Sequence, residues 1–144
     1  MDEIVELCVE NNILLIEDTC ESIGSKYKNK LLGTFGDLST FSFYFGHHMS
    51  TIEGGMISTN NEELYHILLS IRSHGWDRDL PYEKQKTLRN KYGVDDFKSL
   101  YTFYYPGFNL RSTDLNAFLG ISQLKKIDEI TKVRETNFNF YKKI

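Results

Sequence analysis

The stretch 41-FSFYFGHHMSTIEGG-55 places two adjacent histidines, His47 and His48, after a strand-like apolar run and just ahead of a Glu-Gly-Gly turn. Imidazole suits proton movement near neutral pH, because its unperturbed pKa of about 6.5 lies close to working conditions. Acidic candidates stand earlier, in 13-ILLIED-18, where four long or branched apolar residues end in two carboxylates. Metal binding by the histidine pair is disfavoured. Neighbours on an extended chain point opposite ways, and no Cys, His or Asp cluster flanks them at ligand spacing. The sequence holds no nucleophile elbow, which argues against a Ser-His-Asp hydrolase.

These residues need elements to position them. Residues 2–11 read as a helix with its apolar positions on one face, closed by Asn11 and Asn12. The uninterrupted run 13–18 then reads as a parallel strand covered on both faces. In such sheets ligands gather beyond the carboxyl ends of the strands, which is where Asp18 falls; capping of a turn or helix is the other reading of that residue. Lysines and glycines in 24-GSKYKNKLLGTFGD-37 predict a surface hairpin turning at Asn29 and Lys30. Strands are expected at 39–45 and 55–60, and a covering helix from Glu62 to about His74, ended by Gly75. Alternating helices and apolar strands make an α/β layered domain.

Between Gly75 and Asn109 the periodicity fades, and the stretch holds both prolines, the only tryptophan and the run 101-YTFYYPGFN-109. A loop this long inside a domain is usually functional, and exposed aromatic side chains belong at subunit contacts, with Trp76 as an anchor. His74 and Arg78 read equally as ligand or partner contacts and as solvated loop residues. Two further helices are expected, from Ser112 or Thr113 to Lys126 and from about Lys132 onward.

The 144 residues are 40% hydrophobic, enough for a core, and the net charge of −3 comes with no basic stripe. Nucleic acid and anionic membrane are therefore not expected partners. Cys8 and Cys20 lack metal spacing and disulfide density, which fits a reducing cytoplasm. No apolar run approaches the roughly 20 residues of a membrane span, and MDEIVELC lacks a basic signal region. The amphipathic pattern begins with no lead-in and NFNFYKKI stops inside a helix-like run, so the sequence reads as a piece of a longer protein.

Several motifs agree in order: IEDTCESIGSKYKNKLLGTFGDLSTFSFYF, STIEGG, RSHG and GFNLRSTDLNAFLGISQL. Together they resemble the pyridoxal-phosphate-dependent nucleotide-sugar aminotransferases of the DegT/StrS type over nearly the whole chain. The resemblance implies part of the large cofactor-binding domain of a fold-type I transferase, a three-layer α/β/α structure with a mostly parallel sheet. Residues 1–130 would belong to that domain, with 76–111 as an aromatic interface and active-site loop, and 131–144 would begin a helix leading to a small domain. The cofactor implied is pyridoxal 5'-phosphate, cycling with pyridoxamine 5'-phosphate.

Carried over position by position, Asp18 matches the aspartate that keeps the cofactor's pyridine nitrogen protonated. Glu21 stands where the family has glutamine, near the phenolic oxygen. Ser42 matches a hydroxyl donating to the cofactor phosphate, and Asn109 a residue reaching the neighbouring subunit's phosphate in a homodimer. Glu53-Gly54-Gly55 matches an architectural turn. At His47 the aminotransferases carry the lysine that bonds covalently to the cofactor, a bond histidine cannot make; Lys26, Lys28 and Lys30 lie on the exposed hairpin instead. This exchange marks the sugar 3-dehydratases within the family, with His47 as the catalytic base and His48 a structural neighbour. The runs SFYFGHHMSTIEGGMISTN and RSHGWDRDL resemble those 3-dehydratases that act on GDP-4-keto-6-deoxy-D-mannose, a resemblance that implies this substrate and L-glutamate as amino donor. Alternatives are a CDP-sugar 3-dehydrase, which would need an iron-sulfur cluster held by cysteines, an aminotransferase of the same family, and an inactive chain that serves only as a subunit contact.

Overall fold

The computed structural model describes residues 1–144, which divide into two compact units, Met1–Asn60 with Ser112–Ile144, and Asn61–Arg111. In the first unit, helix α1 (Asp2–Glu10) leads through Asn12, at φ 53°, into strand β1 (Ile16–Asp18). β1 pairs in parallel with β4 (Leu38–Ser42), bringing Asp18 opposite Thr40, and β4 pairs antiparallel with β5 (Gly55–Ser58). The expected parallel pairing of the 13–18 run is present. The sheet order is β1-β4-β5, so one pair of this small sheet is parallel and one antiparallel.

Between β1 and β4 the chain makes a hairpin of β2 (Lys26–Tyr27) and β3 (Lys30–Leu31). Its turn residues are Lys28 and Asn29, at φ 48° and 64°, one position earlier than the sequence suggested. Two consecutive left-handed residues are what a two-residue turn needs to follow the strand twist, and asparagine tolerates that region well. The hairpin then enters a loop fastened by one side chain. Glu17 is 8% exposed, and its carboxylate accepts backbone N–H bonds from Gly33 at 2.7 Å, Phe35 at 2.6 Å and Gly36 at 2.7 Å. Gly36 passes so close to β1 that a Cβ there would lie 2.5 Å from the Leu15 carbonyl oxygen.

Helix α5 (Asp114–Leu124) starts at a capping box formed by Thr113 and Asn116, and α6 (Ile127–Tyr141) follows almost at once. α6 begins about five residues before the expected start because Ile127 and Ile130 extend its pattern toward the N-terminus.

In the second unit, the Asn61 side chain caps α2 (Glu62–Arg72) by accepting from the Glu63 and Leu64 amides. The stretch read as one irregular loop holds two helices, α3 (Tyr82–Tyr92) and α4 (Asp96–Ser99). α3 is polar around most of its circumference, so it lacks the apolar stripe by which a helix is recognised. Its anchor is an ion pair: Asp77, fully buried, meets Arg89 Nε at 2.7 Å, and Arg89 also reaches Asp96 and Gln85 at 3.1 Å. This pairing holds the Arg89 guanidinium above its ordinary pKa, with the Asp77 bond as the largest cause.

The expected apolar core is largely absent from the chain. Leu80 is the one buried hydrophobic side chain, whereas Ile13, Leu14 and Ile16 around β1 are 56%, 65% and 58% exposed. A three-stranded sheet with short helices has too little surface to cover both of its own faces. What the chain does bury is polar and bonded, as with Glu17 and Thr19, the latter donating both its amide and its hydroxyl to the Thr40 carbonyl.

Glu17→Gln replaces one carboxylate oxygen by an amide nitrogen facing backbone donors. A loss of about 2–4 kcal/mol is expected, read as a lower urea midpoint for the natural protein carrying this chain. An unchanged midpoint would show that the clamp contributes nothing.

Candidate active site

The candidate residues Asp18, Glu21, Ser42 and His47 all fall in the first unit, at or beyond the carboxyl ends of β1 and β4. Asp18 is the last residue of β1. Its Oδ1 accepts from the Cys20 amide at 3.1 Å and from the Thr40 hydroxyl at 3.2 Å, the latter set by the strand register. Bonds from the Cys20 thiol and amide, then from Thr40, hold the Asp18 carboxyl below its ordinary pKa, and the charge of His47 adds to the effect. The same carboxylate pushes the Cys20 thiol up, so Cys20 serves as a donor and not as a nucleophile.

Ser42 closes β4 opposite Gly55, and its Oγ accepts from the Tyr44 amide at 3.3 Å. The hydroxyl hydrogen stays available for an acceptor. The chain then turns, with the His47 amide donating to the Tyr44 carbonyl at 3.0 Å, and the His47 ring meets the Tyr44 ring edge-on at 5.5 Å. His47 is mostly covered, its side chain 20% exposed; Nε2 lies 3.5 Å from Glu21 Oε1, while Nδ1 is buried without a partner. Glu21 itself is 85% exposed at the side chain. His48 is held below its ordinary pKa by burial first, then by the charges of Arg134 and His47. It therefore favours the neutral form and sits among cations.

The turn after the histidines is tightly built. The Phe43 amide donates to the Gly54 carbonyl, the Thr51 amide donates to the Phe43 carbonyl, and Asn116 of α5 donates to the Thr51 carbonyl at 2.8 Å. A Cβ on Gly54 would meet Thr51 Oγ1 at 2.5 Å, so the glycine there is demanded by packing. Thr51, Cys20 and Thr40 were not singled out from sequence, since each acts through strand register or a turn, which spacing does not reveal.

Asn109 belongs to the second unit, where it bridges Ser73 and its Oδ1 accepts from Arg111 Nε at 3.0 Å. Around Trp76 gather the His74 ring at 4.9 Å, the Phe103 ring stacked at 6.1 Å and the Arg78 guanidinium at 3.8 Å. His74 and Arg78 are thus packed on an aromatic, and Arg78 also donates to the Leu100 carbonyl. Exposed Tyr101 and Phe108 lie in the same unit.

The sequence profile of the DegT/DnrJ/EryC1/StrS aminotransferase family matches residues 1–144. The chain is 43% identical over 140 residues to a GDP-4-keto-6-deoxy-D-mannose 3-dehydratase of Escherichia coli O55:H7, covering 97% of this chain and 36% of that protein. A solved structure of the E. coli GDP-4-keto-6-deoxy-D-mannose-3-dehydratase with bound hydrated PLP superposes with a TM-score of 0.81 at 43% identity, over 97% of this chain and 36% of that one. Another, of a GDP-4-keto-6-deoxymannose-3-dehydratase with a trapped PLP-glutamate geminal diamine, gives 0.74 at 42% identity over 88% and 32%. The chain thus spans about a third of the length of the curated relatives it matches.

Because the folded Asp18 pKa is lowered from 3.8, its contribution to stability is present above that value and fades as pH falls through the folded value. Thr40→Val removes one of the bonds that lower it. Carboxyl NMR should then show Asp18 titrating closer to its ordinary value; an unmoved titration would contradict the role given to the Thr40 hydroxyl.

Proposed function

The chain belongs to the DegT/DnrJ/EryC1/StrS aminotransferase family, and on that premise we propose that the protein carrying it is a pyridoxal-phosphate-dependent nucleotide-sugar 3-dehydratase. The substrate class is a GDP-4-keto-6-deoxy sugar, specifically GDP-4-keto-6-deoxy-D-mannose, with L-glutamate as amino donor. The observation that carries this reading is a histidine, His47, beside the ionised Asp18, at the position where the aminotransferases of the resemblance have their lysine.

The residues present fit the cofactor. Asp18, kept ionised by Cys20 and Thr40, matches a protonated pyridine nitrogen, and the Ser42 hydroxyl has a hydrogen left for a phosphate oxygen. When bound, pyridoxamine phosphate would supply an amine to hold the 4-keto sugar and a ring able to accept electrons. Asp18 would hold that ring's nitrogen protonated and so keep the ring electron-poor. Without lysine at position 47, this turn would hold the cofactor by non-covalent contacts alone. His47 takes up a proton at its ring nitrogen and returns one to the departing hydroxyl, as an imidazole can near neutral pH. The outcome is loss of the C-3 oxygen with release of ammonia, giving a 3,6-dideoxy-4-keto sugar of the kind used for colitose in O-antigen.

Asn109, Trp76 and the exposed Tyr101, Phe103 and Phe108 form the surface assigned to a second subunit, where Asn109 would reach the neighbour's cofactor phosphate. Residues 1–130 are assigned to the large cofactor domain and 131–144 to the approach to a small one. A cytoplasmic setting fits a nucleotide-sugar substrate and free thiols.

In the natural protein, His47→Lys restores a lysine where the aminotransferases have one. Borohydride should then trap the cofactor on Lys, and the 3-deoxy product should fall about 100-fold or more. Undiminished deoxygenation with no trapped adduct would overturn the role of His47.

A further inference from the structure

The covered His47 ring pairs with one carboxylate, that of Glu21. Its Nε2 edge faces Glu21 Oε1 at 3.5 Å, while its Nδ1 is buried with nothing to bond. Glu21 lies just past Asp18 in a turn closed by the Ser22 amide on the Thr19 carbonyl at 3.0 Å. One strand end therefore supplies both the carboxylate that acts on the cofactor in the proposed reading and the carboxylate that faces the base. The charge of His47 also bears on Asp18 and on His48, the latter in turn feeling Arg134 of α6, and the Tyr44 ring meets the imidazole edge-on at 5.5 Å.

We propose that Glu21 is the positioning residue of His47: its carboxylate faces the Nε2 edge and stabilises the imidazolium formed when Nε2, the ring nitrogen that is not buried, takes up a proton. The inference rests on the 3-dehydratase reading for its consequence in catalysis. Its chemistry follows from charge. A carboxylate beside an imidazole favours the protonated ring, whereas a glutamine here could accept a hydrogen bond but would offer no charge. His47 and Glu21 then form one device, a base together with the counter-charge that steadies it. The proton gained by the imidazole in one step is the proton it gives to the leaving hydroxyl in the other, so no outside acid or oxidant enters.

Because Glu21 is 85% exposed and bonds to no backbone group, its replacement leaves the fold intact. The test compares the natural protein with its Glu21→Gln variant, without substrate, by labelling with diethylpyrocarbonate, which acylates the neutral imidazole. Tandem mass spectrometry resolves His47 from His48. Near pH 6 the variant should label His47 about two- to fivefold faster, the range that an exposed ion pair gives. In the loaded enzyme the variant should lower kcat with little change in KM for the nucleotide sugar and should alter the acid limb of the pH-rate profile. Equal labelling at every pH from 5 to 8 would overturn the pairing. Faster labelling with an unchanged kcat would overturn its part in catalysis. If the natural protein yields an amino sugar while the labelling difference stands, the pairing holds and the 3-dehydratase reading fails.

Discussion

Three backbone amides converging on the buried carboxylate of Glu17 hold the first unit in register. The loop from Gly33 to Gly36 has no regular structure, and its donors would otherwise be left facing the inside of the unit. A carboxylate satisfies all three at once, and bonds to a charged acceptor are stronger than neutral ones. The Asp37 side chain then accepts from the Leu15 amide at 2.8 Å, and the Asp37 amide donates to the Leu15 carbonyl at 2.9 Å. Loop and strand are fastened on both sides of the point where β4 begins, which fixes Thr40 opposite Asp18.

That register carries the chemistry. Alternation along β1 buries Glu17 and exposes Asp18, so adjacent acids do opposite work: one holds the scaffold, the other faces outward with its charge maintained. The following turn delivers Glu21 to His47, while β4 and its return through Gly54 fix the histidine turn from the other side. Family membership and the likeness to structures holding PLP agree with an arrangement whose polar groups end at one edge of one small sheet. In the second unit the same economy recurs, with buried Asp77 anchoring the polar helix α3 through Arg89.

Much of this could be read from the residues alone. The helix at 2–11, the parallel strand ending at Asp18, the strands around 39–45 and 55–60 and the helix after Asn61 each show a clear apolar period or cap. The α3 helix was hidden because its sequence, YEKQKTLRNKY, has no apolar face, and its anchor, Asp77, lies outside it. The turn at Lys28 and Asn29 was placed one residue late because either asparagine pair suits a two-residue turn. Among the site residues, Asp18, Glu21 and His47 could be found by type and position, but Thr40 and Cys20, and the pairing of Glu21 with His47, come from cross-strand register and turn geometry, which leave no local pattern. The expected core was absent because composition reports how many apolar residues exist, not how many this short sheet can cover.

The central claim is that His47 makes this a deoxygenating member of an aminating family. The most direct measurement is the mass of the nucleotide sugar recovered after the natural protein is incubated with pyridoxal phosphate, L-glutamate and GDP-4-keto-6-deoxy-D-mannose. A product lighter by one oxygen, formed with release of ammonia, is the predicted result. A 4-amino sugar formed without ammonia would contradict it.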